Sequence, residues 1–267
     1  MQLIDTHTHL YVEQFENDRA ATIERAISKG IEKFYLPAID SETHEAMLAL
    51  EAEYPNRCFA MMGLHPCSVK ADYEKELRIV EEWIKKRPFC AIGEIGIDLH
   101  LDTTFIAQQK EACIQQITWA KDLDGPIAIH SRKSTWEVIE ILRAEKSDKL
   151  RGIFHCFGGT VAEAEAIIDC GFHLGIGGVL TFKKAGLDKT MEAVDLEHVV
   201  LETDSPYLAP TPYRGKRNES AYIALIAQKL AAIKGIDISE IARITSENAQ
   251  KIFANSTKEA LLFGKTR

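Results

Sequence analysis

The chain has 267 residues, 46% hydrophobic and 27% charged, with a net charge of −8. That length suits one α/β barrel of about 250 residues, and a chain of this size buries roughly 75% of its unfolded surface without covalent staples. The negative charge excludes a broad basic coat for nucleic acid but leaves room for a small site where metal ions and a few cations meet phosphates.

No run approaches the ~18 apolar residues of a membrane span, and no apolar leader precedes the first strand-like segment. The six cysteines, Cys58, Cys67, Cys90, Cys113, Cys156 and Cys170, include no CxxC pair. A disulfide framework or cysteine zinc knuckle is therefore not expected. The expectation is a cytoplasmic protein with reduced thiols, no membrane association and no obligate protein partner.

In chain order, strand signals and helical patterns alternate. The strand Leu3–His7 precedes a helix at Arg19–Lys29, and Lys33–Ala38 precedes one at Glu42–Tyr54. Phe59–Leu64 is followed by Tyr73–Lys86, Cys90–Ile95 by Ala107–Lys121, and Pro126–His130 by Ser134–Ala144. The strands Gly152–His155, Phe172–Gly177 and Val199–Thr203 complete the set, and helices at Ser220–Lys234 and Ser239–Ala254 close the chain. Several strands are continuous apolar runs, as strands covered on both faces require. Ser134 with Glu137, and Thr160 with Glu163, have the spacing of helix-start capping boxes. Eight such alternations predict a parallel sheet closed as a (β/α)8 TIM-type barrel. With no linker or repeat, residues 1–267 read as a single domain, the last helices covering the barrel's outside or bottom.

Polar residues gather at one end of these strands. His7 and His9 end the first strand, and residues i and i+2 share a strand face. Glu94 ends the fourth strand, His130 the fifth, His155 the sixth and Asp204 the eighth. Strand C-termini converge on one rim of a barrel, so four imidazoles and two carboxylates are expected in a single pocket. Such a set suits divalent ions such as Zn, Mn or Mg. It is large for one catalytic ion and fits two, with a carboxylate bridging. Each residue alone also reads as an ordinary packed or capping group. Chance does poorly at placing all of them at the same strand ends. His44, in a helix, and His173 and His198, at strand beginnings, are expected to pack. His100 has no assigned role, and His65, in Gly63-Leu64-His65-Pro66, is expected to contact substrate at the same rim.

In sequence these stretches resemble the TatD family of metal-dependent DNases, of the amidohydrolase-type metal-barrel superfamily. The matching motifs are Ile4-Asp5-Thr6-His7-Thr8-His9-Leu10, Gly63-Leu64-His65-Pro66, Ala91 to Asp98, Ile129-His130-Ser131-Arg132, His155-Cys156-Phe157-Gly158-Gly159, Leu201 to Pro210 and Arg214 to Asn218. HxH alone says little, whereas all of these in order are specific. The resemblance implies divalent-metal-dependent hydrolysis of DNA phosphodiesters, as a 3′-5′ exonuclease or endonuclease. It implies that His7, His9 and Asp204 hold one ion, His130 and His155 the other, and that Glu94 bridges. Two features depart from the family. Thr8 stands where Cys is frequent, and Gly96-Ile97-Asp98-Leu99-His100 lacks an aromatic pair.

Two ions about 3.5–4 Å apart can share a water and lower its pKa toward ~7. On that reading Glu94 and Asp204 are catalytic, Asp204 accepting a proton, and Asp5 orients a ligand from behind while Glu202 lies deeper in the same strand register as Asp204. Phosphate contacts are expected from Arg132, from Arg214, Lys216 and Arg217 after the eighth strand, and from Lys183 and Lys184 after the seventh, with Tyr207 and Tyr213 available for base stacking. The partner is then DNA or another phosphate-bearing substrate. Two other readings stay open. One is a C–N or ester hydrolase such as a deacylase of aminoacyl-tRNA, because the same chemistry serves both bonds. The other is a metal-binding scaffold without turnover.

Overall fold

The computed structural model describes residues 1–254, so the stretch 255–267 of the expected single domain lies outside the described residues. Strands and helices alternate as β1 (Leu3–Asp5), α1 (Arg19–Ser28), β2 (Ile31–Leu36), α2 (His44–Glu53), β3 (Cys58–Ala60), α3 (Tyr73–Lys86), β4 (Ile92–Asp98) and α4 (Ile106–Leu123). They continue as β5 (Ile127–Arg132), α5 (Thr135–Ala144), β6 (Gly152–Phe154), α6 (Val161–Asp169), β7 (Phe172–Ile176), α7 (Leu187–Ala193), β8 (Val199–Leu201), α8 (Ile223–Lys234) and α9 (Ile238–Phe253).

All pairings are parallel, in the arrays β1-β2-β3 and β4-β5-β6-β7-β8. Backbone hydrogen bonds cross both gaps. Met62 donates to Ala91 O (3.1 Å) and Gly93 to Met62 O (3.0 Å), while Thr6 donates to Leu201 O (3.1 Å) and Asp204 to His7 O (2.9 Å). Every strand thus has two neighbours, which makes a (β/α)8 barrel without free edges.

Side chains alternate across each strand. Leu3, Phe34, Ile92, Ile127, Ile129, Phe154 and Leu201 pack with the helix residues Ile23, Met47, Val80, Ile117, Val138 and Ile167 in the large outer core. The intervening residues Ile4, Tyr35, Met61, Ala91, Ala128, Ile153 and Val200 form a separate inner cluster, joined by Ala249, Ile252 and Phe253 of α9. Phe253 stacks on Tyr35 at 3.8 Å between centroids. The last helix therefore plugs the lower end of the barrel. Two residues further along three of these strands, the same inward register holds His130, His155 and Glu202.

Some boundaries differ from the sequence reading. β1 stops at Asp5, β3 at Ala60 and β8 at Leu201, each short of its expected end. Beyond those points single backbone bonds to the ladder partner, such as Thr8 to Tyr35, Met61 to Leu36 and Glu202 to Ile176, alternate with the cross-gap bonds above, and hydrophobic pattern carries no sign of that change. The Thr160–Glu163 capping box forms. The Ser134 one does not, because its hydroxyl donates to Ile97 O at 2.6 Å and ties α5 to β4 instead.

Candidate metal centre

Past β1 the chain turns across the barrel mouth and is strapped on both sides. The Thr8 N–H donates to Tyr35 O (3.0 Å) and the His9 N–H to Ser205 O (2.8 Å). Asp5, fully buried, accepts from the Thr203 N–H (2.9 Å) and hydroxyl (2.6 Å) and from the His7 N–H (3.4 Å). It thereby locks the His7 backbone to the end of β8. Burial raises its pKa to about 7, against the lowering effect of its hydrogen bonds.

Glu94 is the hub. Its Oε2 lies 3.0 Å from His7 Nε2 and 3.7 Å from His9 Nε2. Its Oε1 lies 2.9 Å from His130 Nδ1, 3.3 Å from His155 Nε2 and 3.3 Å from His65 Nε2. Asp204 Oδ1 stands 3.5 Å from His9 Nε2 and 3.8 Å from His7 Nε2. Backbone shape permits this crowding. Asp204 follows β8 in the left-handed region at φ +55°, which Asp tolerates better than most residues. Beside Glu94, Gly96 sits at φ +141°, where a Cβ would lie 2.0 Å from His130 O. All the expected ligands, and His65, therefore meet in one cup.

Partner atoms fix three ring orientations. The Tyr11 hydroxyl donates to Pro37 O (2.5 Å), so at 3.0 Å it accepts from His9 Nδ1. Glu202 Oε1 accepts from His155 Nδ1 (3.1 Å) and from the Cys156 N–H (2.6 Å). In both rings Nε2 is left facing the cup. Carboxylate–histidine pairs of this kind orient metal-ligating imidazoles. Gly175 makes room for Glu202, since a Cβ there would lie 2.2 Å from its Oε2. His65 also turns its Nε2 inward, toward Glu94, but its Nδ1 accepts, from the Cys67 N–H at 3.0 Å.

Burial opposes ionisation of Glu94, but the charges of His155, His65 and His7 and the His130 hydrogen bond outweigh it and hold the carboxyl well below the usual range. Burial likewise works against the charged His155, and Glu94 and Glu202 overcome it, pushing the imidazole up to about 10. His7 moves down, through burial and the neighbouring His155, on which it stacks at 3.6 Å.

The donor set fits divalent cations. Both ring nitrogens of buried His7 and Oε2 of Glu94 make no aligned hydrogen bond, an arrangement that is costly unless an ion serves them. Ligand atoms of His7, His9 and Glu94, of Glu94, His130 and His155, and of His7, His155 and Asp204 lie within 4.8 Å of one another in each group.

The outer residues divide. Arg132 is exposed at the end of β5 beside the cup, and Lys183 and Lys184 are exposed after a 3-10 turn at Gly178–Thr181. Arg214 lies over the Phe182 ring at 3.6 Å and Lys216 lies 5.9 Å from the Tyr213 ring. Tyr213 is stacked on Tyr222 at 4.2 Å, whereas Tyr207 is 46% exposed and 6.1 Å from His9. Arg217, expected at the substrate, has another occupation. Its fork grips Asp18 with two bonds of 2.7 Å and the Gln14 carbonyl with a third. That pair joins segments far apart in sequence, so local charge pattern gave no warning of it. His100 is exposed and His44 is buried at the head of α2. Sequence reasoning missed Tyr11, which follows His9 at the same two-residue step, and Asp98, whose Oδ2 lies 2.8 Å from His130 Nε2.

The chain is similar to known proteins over nearly its whole length. The family described as "TatD related DNase" matches residues 4–254. A metal-dependent hydrolase, YabD of Bacillus subtilis (strain 168), is 36% identical over 252 residues, covering 94% of this chain and 98% of the relative. The 3′-5′ ssDNA/RNA exonuclease TatD of Rahnella sp. (strain Y9602) is 29% identical over 251 residues, 92% of this chain and 95% of its own. Among solved structures, the TatD homolog YJJV of Escherichia coli K12 superimposes with a TM-score of 0.89 at 27% identity, over 94% of this chain and 98% of that one. No helix among the described residues is long and apolar enough to cross a membrane. The barrel, the cup of imidazoles and carboxylates at its mouth and the family match over nearly all of the chain lead to one conclusion: this chain belongs to the TatD-related DNase family and is a metal-dependent hydrolase.

Proposed function

We propose that the protein hydrolyses phosphodiester bonds in nucleic acid, DNA first, with two divalent ions held in the cup, and that it acts in the cytoplasm. The observation that carries this reading is the two-sided use of Glu94. One carboxylate oxygen faces His7 and His9 and the other faces His130 and His155, as a carboxylate shared by two ions would. Asp204 completes the His7–His9 side. When bound, a divalent pair supplies an activated water and neutralises phosphoryl charge.

The chain's own groups do the rest. Asp204, 13% exposed and held ionised by His9, His155 and His7 against its burial, stands where it can take a proton. His65, with Nδ1 already accepting, holds Nε2–H toward Glu94 Oε1 at 3.3 Å, from where the same hydrogen can pass to a phosphoryl oxygen entering the cup. Arg132, Arg214 and Lys216, with Lys183 and Lys184 beyond them, supply cations along the rim, and Tyr207 an exposed ring for a base. Two relatives named 3′-5′ ssDNA/RNA exonuclease support the choice of substrate.

The test is parallel incubation of Mn- or Zn-reconstituted protein with single-stranded DNA, double-stranded DNA, RNA and charged tRNA, with Glu94→Gln as control. Nucleotide release that vanishes in the variant is expected. Deacylation of tRNA without phosphodiester cleavage would overturn the proposal.

A further inference from the structure

Asp98 lies outside the ligand set, yet it is 1% exposed and makes three charge-assisted contacts. Its Oδ1 accepts the N–H groups of His100 and Leu101, both at 2.8 Å. Its Oδ2 lies 2.8 Å from His130 Nε2, while the opposite ring nitrogen, Nδ1, lies 2.9 Å from Glu94 Oε1. A carboxylate whose remaining oxygen meets a ring nitrogen can only accept there. Nε2 must therefore carry a hydrogen; Nδ1, facing Glu94 Oε1, carries one too, and it is the nitrogen that would give up its proton to present a lone pair to the cup. His155 and His9 are turned the opposite way, offering Nε2, because Glu202 and Tyr11 hold their Nδ1 atoms. An ion held by Glu94, His130 and His155 would thus meet His130 through Nδ1 and His155 through Nε2, and Asp98 is the group that makes the difference.

We propose that Asp98 is a positioning residue for the His130 side of the cup, and that through one carboxylate it couples occupancy of that side to the loop between β4 and α4. The loop begins at Leu99, and Leu101 within it is 63% exposed. Its backbone is held by the oxygen adjacent to the one that orients His130. Coordination at Nδ1 displaces only the proton on that nitrogen, which passes to solvent, and leaves Nε2–H on Asp98. Removing the carboxylate frees the ring and the loop together.

Two variants separate this from a structural role. Asp98→Asn keeps an oxygen for the His100 and Leu101 N–H groups but turns an NH2 toward Nε2. The ring must then carry its hydrogen on Nδ1, which blocks the lone pair. Asp98→Ala removes both functions. Full-length protein stripped of metal is titrated with Mn2+ or Zn2+ by calorimetry, and the His130 tautomer is read from its 15N shifts. For Asp98→Asn the expected result is a thermal midpoint near wild type, an Nδ1–H signature at His130, and ~10–100-fold weaker affinity at one of two ion classes, the loss typical when a ligand's orienting partner is removed. Wild-type tautomer and affinities in Asp98→Asn would overturn the proposal. So would equal weakening of both ion classes. Neither readout involves turnover, so the phosphodiesterase reading can fail while this one stands, and the reverse.

Discussion

The two ends of the barrel treat the same side chain in opposite ways. At the mouth, His155 is pushed up to about 10, because Glu94 and Glu202 outweigh its burial. At the start of β7, near the plugged end, His173 is pushed down to about 4 by burial and by His198, whose ring is 6.2 Å away. Neither ring is freely exposed. What separates them is the company of carboxylates, so partner charge rather than residue type marks the functional end. The interior repeats the contrast. Ala128, Ile153 and Val200 fill the apolar layer, and two residues on, His130, His155 and Glu202 line the cup.

The strongest way to break this comparison is to remove the central charge. Glu94→Gln should retain the fold, lose its ions and lower hydrolysis by roughly 10³-fold or more, a loss on the scale of deleting an essential catalytic group. His173→Gln should leave kcat within about twofold, as expected of a residue that makes no transition-state contact. Near-normal turnover in the Glu94 variant would dissolve the distinction.

A smaller effect is expected from Glu202→Ala, which frees the His155 ring without touching the other ligands. Metal affinity measured by competition with a chelator should fall ~10–100-fold. Two arginines at the rim sharpen the picture further. Arg132→Ala should raise KM for phosphodiester substrates about tenfold, the value of one lost charge-assisted hydrogen bond. Arg217→Ala should leave KM alone and cost at most ~1 kcal/mol of stability, because its partner Asp18 makes a surface ion pair. Equal KM changes in both would place Arg217 at the substrate after all.

The smallest effect concerns the plugged end. His173 has a folded-state pKa below its unfolded value of 6.5, so the unfolded chain takes up its proton first as pH falls. Its contribution to stability is present above pH 6.5 and is lost as pH drops toward about 4. Unfolding free energies from urea titrations at pH ~7 and ~4.5 should differ by ~1–2 kcal/mol more in wild type than in His173→Gln, a partly solvent-screened share of the full linkage. An identical pH slope in the two proteins would show that burial of this ring carries no linkage.

Much of the site was legible before folding was known. His130 and His155 each end an apolar run, and a parallel strand's C-terminal end and two-residue period are local properties. That is enough to predict a common rim and the joint presence of His7, His9, Glu94 and Asp204. The limits of that reading lie where a contact spans the ring. Pattern alone extended β1 through His7, but the strand ends at Asp5 and the HxH segment is set by bonds to Tyr35 and Ser205.

The linear chain thus determined which imidazoles and carboxylates gather at the mouth, which end of each strand carries them, and that an alternating α/β pattern of this length closes as a barrel. Tertiary structure alone decided which nitrogen of each imidazole faces inward, that Glu202 lies behind His155 and Asp98 behind His130, and that Arg217 serves Asp18. The physical reason is range. Periodicity and strand direction are written in neighbouring residues, whereas hydrogen-bond partners separated by tens to hundreds of residues exist only once ring closure brings their strands together.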